Sequence, residues 1–136
     1  MLCLNRKIDY ALVTLAFLAG REDGPVVSAR EIATINDLPL PLVAKILKRL
    51  HHNGLVDGVR GSKGGYRLSA NLDGVTLFQL IAAVEDGKPT ERRHTHGPVQ
   101  ALHYRLMKFL RDVKLSDLVV PGRRIDVPFE LLANAI

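Results

Sequence analysis

Basic side chains are concentrated between residues 45 and 67, where Asp57 is the sole acidic residue. Such a cluster can donate hydrogen bonds to phosphates and guanine bases, although it is equally compatible with a plain solvated surface. Over the whole chain, 19 Lys and Arg against 14 Asp and Glu give a net charge of +5, and the isoelectric point is about 9.7. This balance favours a polyanionic partner. The clustered cations are Lys45, Lys48, Arg49, Arg60, Lys63 and Arg67.

Metal and redox chemistry have few candidate residues. Cys3 is the single cysteine, so one chain cannot build a disulfide or a cysteine-ligated zinc or iron–sulfur site. His94, His96 and His103 are weak candidates for metal ligands, because imidazole suits zinc, copper, nickel and iron. The first two lie in a loop beside arginines 92 and 93, which oppose a bound cation. We therefore expect no metal and no cofactor.

Length and motifs also limit the function classes. With 136 residues, 47% hydrophobic and 24% charged, the chain fits one folded domain with at most a small appendage. It has no nucleophile elbow, paired-carboxylate motif or metalloprotease helix, so we expect no enzyme.

Arg6 and Lys7 before the apolar run 11–19 imitate a secretory signal. Asp9 interrupts that pattern and the run is too short for a bilayer, so we expect a cytoplasmic protein and no membrane partner.

The elements that carry the basic residues are predicted to be helices. Ile8, Leu12, Leu15, Ala16 and Ala19 share one face of a first helix. A capping-box pattern at residues 28–31 begins a second helix that runs to about residue 36. Prolines 39 and 41 end it, and a third helix begins near residue 41 and ends at Asn53-Gly54. Its predicted buried stripe is Val43, Ile46, Leu47 and Leu50, and its opposite face holds Pro41, Ala44, Lys45, Lys48 and His52.

Two short strands, 55–60 and 66–68, flank the glycine-rich turn 61–65, as in a hairpin. Three helices followed by a hairpin predict a mainly α fold with a small β-hairpin wing, a winged helix-turn-helix. The third helix then fits the major groove, and Arg60 at the base of the wing can reach a narrow minor groove. A nucleotide-binding loop is disfavoured because the turn lacks the Gly-Lys-Ser/Thr ending. A protein-interaction module stays open as an alternative.

The second half of the chain predicts an apolar helical seam. Thr76 and Gln79 indicate a cap for a helix that runs to about residue 85. After the loop 87–98, apolar residues recur at spacings of three and four. We divide the chain into a winged helix-turn-helix at 1–70, a connecting helix and loop region at 71–97, and a long helix with a tail at 98–136. A lone domain could use the apolar seam of that long helix as ordinary core. The seam is Val99, Leu102, Leu106, Phe109, Leu110 and Val113.

Several segments together resemble a known family. They are residues 4–12, 27–33, 38–50, 54–56, 59–68, 75–77 and 82–87, and the resemblance covers about two thirds of the chain. These segments are similar to the Rrf-two family of bacterial winged helix-turn-helix transcriptional regulators. The iron–sulfur assembly, nitric-oxide and cysteine-metabolism repressors belong to that family.

The resemblance implies that the region 98–136 holds a dimerisation helix, and that the homodimer reads a pseudo-palindrome in double-stranded DNA as a repressor. Arg60 would be the wing arginine of the minor groove, and Pro41, Ala44 and Lys45 would form the base-reading face. Many relatives hold an iron–sulfur cluster with three cysteines, two in the loop and one at the start of the long helix, whereas this stretch has none and Gly97 stands where the third would be. We therefore expect no cluster. The expected DNA-binding residues are Ser28, Pro41, Ala44, Lys45, Lys48, Arg49, Arg60, Gly61, Lys63, Gly64, Gly65 and Tyr66.

Two other functions stay open at this point. One is a degenerate regulator that has lost DNA binding and acts as a protein-interaction or ligand-sensing module. The other is a metal sensor that uses the histidine loop. An unidentified effector or protein partner is compatible with each of them.

Overall fold

The computed structural model describes residues 5–21, 24–85 and 97–119. Three helices come first and a two-stranded hairpin follows them. A 3-10 turn at Leu72–Gly74 then leads into three further helices. The elements are α1 (Arg6–Ala19), α2 (Ala29–Asn36), α3 (Leu40–His52), β1 (Val56–Val59), β2 (Gly65–Leu68), α4 (Leu77–Val84), α5 (Pro98–Asp112) and α6 (Leu115–Leu118). The predicted mainly α fold with a β-hairpin wing is confirmed.

Side-chain caps fix where the helices begin. The Ser28 hydroxyl accepts a hydrogen bond from the Glu31 N–H at 3.1 Å, which satisfies one free amide of α2. The Glu31 carboxylate instead pairs with Arg21 at 3.7 Å, so the serine half of the predicted capping box is the half that forms. At α4 both halves form, with Thr76 and Gln79 bonded reciprocally.

The core is one continuous cluster that joins the winged helix to the later helices. All four residues of the predicted α3 stripe are buried. On α1 the buried apolar residues are Ile8, Ala11, Leu15 and Leu18. The predicted face was therefore rotated, because residues 12, 16 and 19 lie at its half-buried edge. Buried residues of α4, α5 and α6 belong to the same cluster.

The end of α5 is tied back to the start of α4. The Leu77 N–H donates to the Val113 carbonyl, and the Leu115 N–H donates to the Val75 carbonyl, each at 2.8 Å. These two bonds hold α4 and α5 side by side, so the orientation of α5 is fixed relative to the winged helix. Among the residues described here, no helix is both long and apolar enough to cross a membrane.

Candidate nucleic-acid interface

The outward face of α3 is basic at its centre and apolar at its start. Pro41, Lys45, Lys48 and His52 are exposed and Ala44 is half-buried. On an α-helix these positions fall within an arc of roughly 100°. The buried stripe of α3 holds that arc outward, because its apolar side chains fill the core behind it.

Four cations of this region form no ion pair within the part of the chain that the structure describes. Across residues 5–21, 24–85 and 97–119, no carboxylate forms an ion pair with Lys45, Lys48, Arg60 or Lys63. Asp57 lies directly opposite Arg67 in the strand register. The one acidic residue of the cluster therefore faces Arg67, the basic residue that comes last in the sequence of the cluster. The basic charge of α3 and of the wing tip is therefore available to a polyanion. Arg49 is half-buried on the flank of α3.

The wing is a tight hairpin that only glycine can close. β1 and β2 are antiparallel, with Val56 opposite Leu68 and Val59 opposite Gly65. Gly61 has φ +116°, which L side chains rarely adopt. A Cβ on Gly64 would lie 2.2 Å from the Val59 carbonyl oxygen. The turn geometry then leaves Arg60, which directly follows β1, and Lys63 exposed at the tip.

The wing is attached to α2 through a short backbone bridge. The Val27 N–H donates to the Tyr66 carbonyl at 3.0 Å, and the Tyr66 N–H donates to the Val27 carbonyl at 2.7 Å. A Cβ on Gly65 would lie 2.5 Å from the Val27 carbonyl carbon and oxygen, so the bridge requires glycine there. Ser28 caps α2 immediately after this bridge. Gly65 and Tyr66 thus fix the position of the wing, and Tyr66 packs on the core.

His51 attaches the wing to α3 as well. Its Nδ1 lies 3.1 Å from the Val56 carbonyl oxygen, and its ring borders Gly58 together with the ring of Tyr66. The last turn of α3 and the first residue of β1 are thereby joined. This contact was not predictable from the sequence, because a contact between the end of a helix and a strand depends on how the intervening turn folds.

One side of α5 exposes a row of apolar side chains. Val99 is 63% exposed, Leu102 58% and Phe109 62%, and Leu106 lies between them at 36%. We call these four residues the α5 stripe. Leu110 is different, since at 2% exposure it belongs to the core of its own chain. Met107 accompanies it there although it was absent from the predicted seam, and Val113 packs against the same core.

Known proteins share both the sequence pattern and this geometry. The family model Rrf2, described as an iron-dependent transcriptional regulator, matches residues 4–121. The chain belongs to the Rrf2 family. It is 30% identical to the HTH-type transcriptional regulator IscR of Klebsiella pneumoniae over 91% of this chain and 83% of that protein. Identity to IscR of Cereibacter sphaeroides is 29%, over 85% of this chain and 86% of that protein.

A solved Rrf2-type structure has the same architecture. CymR of B. subtilis, described as its global cysteine regulator, superposes with a TM-score of 0.68 at 28% identity. The match covers 87% of this chain and 96% of that one. The present chain is accordingly a winged-helix, DNA-binding transcriptional regulator. Its family consists of regulators and not of enzymes.

The donor atoms of this Rrf2 chain do not fit a thiolate-ligated iron–sulfur cluster. Cys3 is the one cysteine, and several cysteine thiolates are needed for such a cluster. Gly97, where the family resemblance places a cysteine, precedes α5 with φ +90°. Within the described ranges, no three His, Cys, Asp or Glu side chains could hold a metal together.

The histidine candidates are only partly covered by the structure. His94 and His96 lie outside the described residues. His103 is half-buried on α5, and its Nε2 atom is shielded from water without a hydrogen-bond partner in the described part of the chain.

Proposed function

We propose that this Rrf2 regulator is a cluster-free homodimer that represses transcription by occupying a pseudo-palindromic operator. The observation that carries the dimer is the exposed α5 stripe. Its members recur along one side of a helix at the three- and four-residue spacing of helix pairs. Exposed apolar side chains that are contiguous in this way are typical of protein interfaces.

Two-fold symmetry would turn one DNA-reading surface into two. In such a dimer α5 of each copy packs against α5 of the other, and two α3 helices face the same DNA. Paired helix-turn-helix units read half-sites about one helical turn apart. Repression then follows from steric competition for promoter DNA. We place this activity in the cytoplasm, with no catalytic step.

Contacts to the DNA follow from the placement of the cations. Lys45 and Lys48 would enter the major groove, and Arg60 would enter the adjacent minor groove, whose negative potential attracts guanidinium groups. Lys63, Gly61 and Gly64 of the wing tip would lie against phosphates. Arg49 would contact the DNA backbone from the flank of α3. The Ser28 cap would hold the N-terminal end of α2 near the DNA backbone.

A matched pair of variants tests the dimer. Phe109→Asp places a charge in the α5 stripe, whereas Tyr104→Asp places one on another face of α5 at a similar exposure of 67%. In sedimentation velocity we expect the first variant to be monomeric and the second to remain dimeric. Operator affinity should fall with the first variant alone. A Phe109→Asp protein that stays dimeric would overturn this interface. A wild-type protein that binds no DNA sequence selectively would instead favour a protein-interaction module.

A further inference from the structure

The chemistry of α3 restricts which bases it can read. The 13 residues of the helix are LPLVAKILKRLHH. None of them is Asn, Gln, Asp or Glu. A carboxamide is the side chain that pairs with adenine through two hydrogen bonds, and a carboxylate accepts from the cytosine amino group. The helix therefore lacks the carboxamide readers of adenine and the carboxylate readers of cytosine.

The residues that α3 does present suit two other groups of the major groove. Pro41 and Ala44 offer only apolar surface, which complements the thymine methyl group. Lys45 and Lys48 offer ammonium donors, for which guanine supplies two adjacent acceptors, N7 and O6. No carboxylate in the described residues competes for either lysine.

The spacing along α3 orders these contacts. Pro41 and Lys48 are separated by roughly 10 Å along the helix axis, which corresponds to about three base-pair steps. Pro41 lies in the first turn of α3 and Ala44 at the start of the second, near the helix N-terminus, where helix-turn-helix proteins contact bases. The lysines follow within the next turn on the same arc.

From this arrangement we infer that each operator half-site contains thymine methyl groups against Pro41 and Ala44, followed within about three base pairs by guanines bound by Lys45 and Lys48. This inference rests on the proposed operator binding, and it adds which bases the operator half-sites contain. The recognition is directional, because the apolar and cationic parts of α3 are in a fixed order.

The test begins with selection of bound duplexes from random DNA by the full-length protein at fixed salt. Selected thymines in one half-site are then replaced by deoxyuridine, which removes only the methyl group. Selected guanines are replaced by 7-deazaguanine, which removes only the N7 acceptor. Binding is followed by fluorescence anisotropy, and the same replacements outside the half-sites serve as controls.

We expect deoxyuridine to weaken binding about fourfold for each methyl contact, and 7-deazaguanine to weaken it roughly tenfold for each lysine contact. Lys45→Ala and Lys48→Ala should each abolish the effect of 7-deazaguanine at one position. Lys63→Ala, on the wing tip, should leave both replacement effects unchanged.

Two outcomes would overturn the inference and they are distinguishable. Tight, sequence-selective binding whose affinity neither base replacement changes would refute the assignment of these bases to α3, while operator binding itself would stand. Selection that enriches no sequence would refute operator binding itself, and the base assignment would fail with it.

Discussion

Replacing Gly65 by alanine tests whether the wing is held by its bridge to Val27. The added Cβ would lie 2.5 Å from the Val27 carbonyl carbon and oxygen and 2.9 Å from the Ser28 nitrogen. These neighbours are backbone atoms, which cannot rotate away as a side chain would. The strand and the bridge must therefore separate, and both hydrogen bonds between Val27 and Tyr66 are lengthened or broken.

The expected cost follows from those two bonds. A backbone hydrogen bond contributes about 0.5–1.5 kcal/mol net, so Gly65→Ala should lower the free energy of unfolding by roughly 1–3 kcal/mol. The wing would also lose its position relative to α3, and operator affinity should fall. Urea denaturation at one fixed protein concentration measures the first effect, since the proposed dimerisation would make stability depend on protein concentration.

Gly74→Ala is the matched control for this experiment. A Cβ at Gly74 meets nothing within 4 Å, so this variant should change the free energy of unfolding by no more than about 0.5 kcal/mol. If Gly65→Ala proves as stable as Gly74→Ala and binds DNA as the wild type does, the bridge does not position the wing.

Three further predictions concern the surface charges and a cap. Arg60→Ala should strongly reduce the preference for operator over random DNA, leaving the part that α3 provides, whereas Arg67→Ala, across from Asp57, should leave it nearly unchanged; competition binding assays compare the two. Lys63→Ala should weaken all duplexes alike and reduce the slope of log affinity against log salt by about two per dimer; an unchanged slope would remove this lysine from the phosphate contacts. Thr76→Ala should lower the free energy of unfolding in urea by about 1 kcal/mol, because it removes the reciprocal cap of α4; an unchanged denaturation midpoint would show that this cap is dispensable.

Local sequence patterns were sufficient for the elements that bear the interface. The proline pair and the Asn53-Gly54 ending delimit α3 in both the prediction and the structure, since these signals act within a single turn. Gly54 indeed has φ +76°. The period of the apolar residues identified the buried stripe of α3, and with it the outward position of the lysines.

Contacts between distant segments were not predictable in the same way. The bridge between Val27 and Tyr66, and the bond between His51 and Val56, depend on how whole elements pack. Spacing also could not separate Leu106 from Leu110 on α5. Both fit an apolar seam, but α4 covers one side of the helix, so Leu110 joins the core while Leu106 remains in the exposed stripe.

In the proposed complex, two copies of this Rrf2 chain bind one operator with two half-sites. The most direct measurement is the mass of the complex between the full-length protein and its selected duplex, determined by native mass spectrometry. We predict two chains per duplex and an inverted repeat in the selected DNA. One chain per duplex, or a selected sequence with a single unrepeated half-site, would contradict the proposed binding of a dimer to two half-sites.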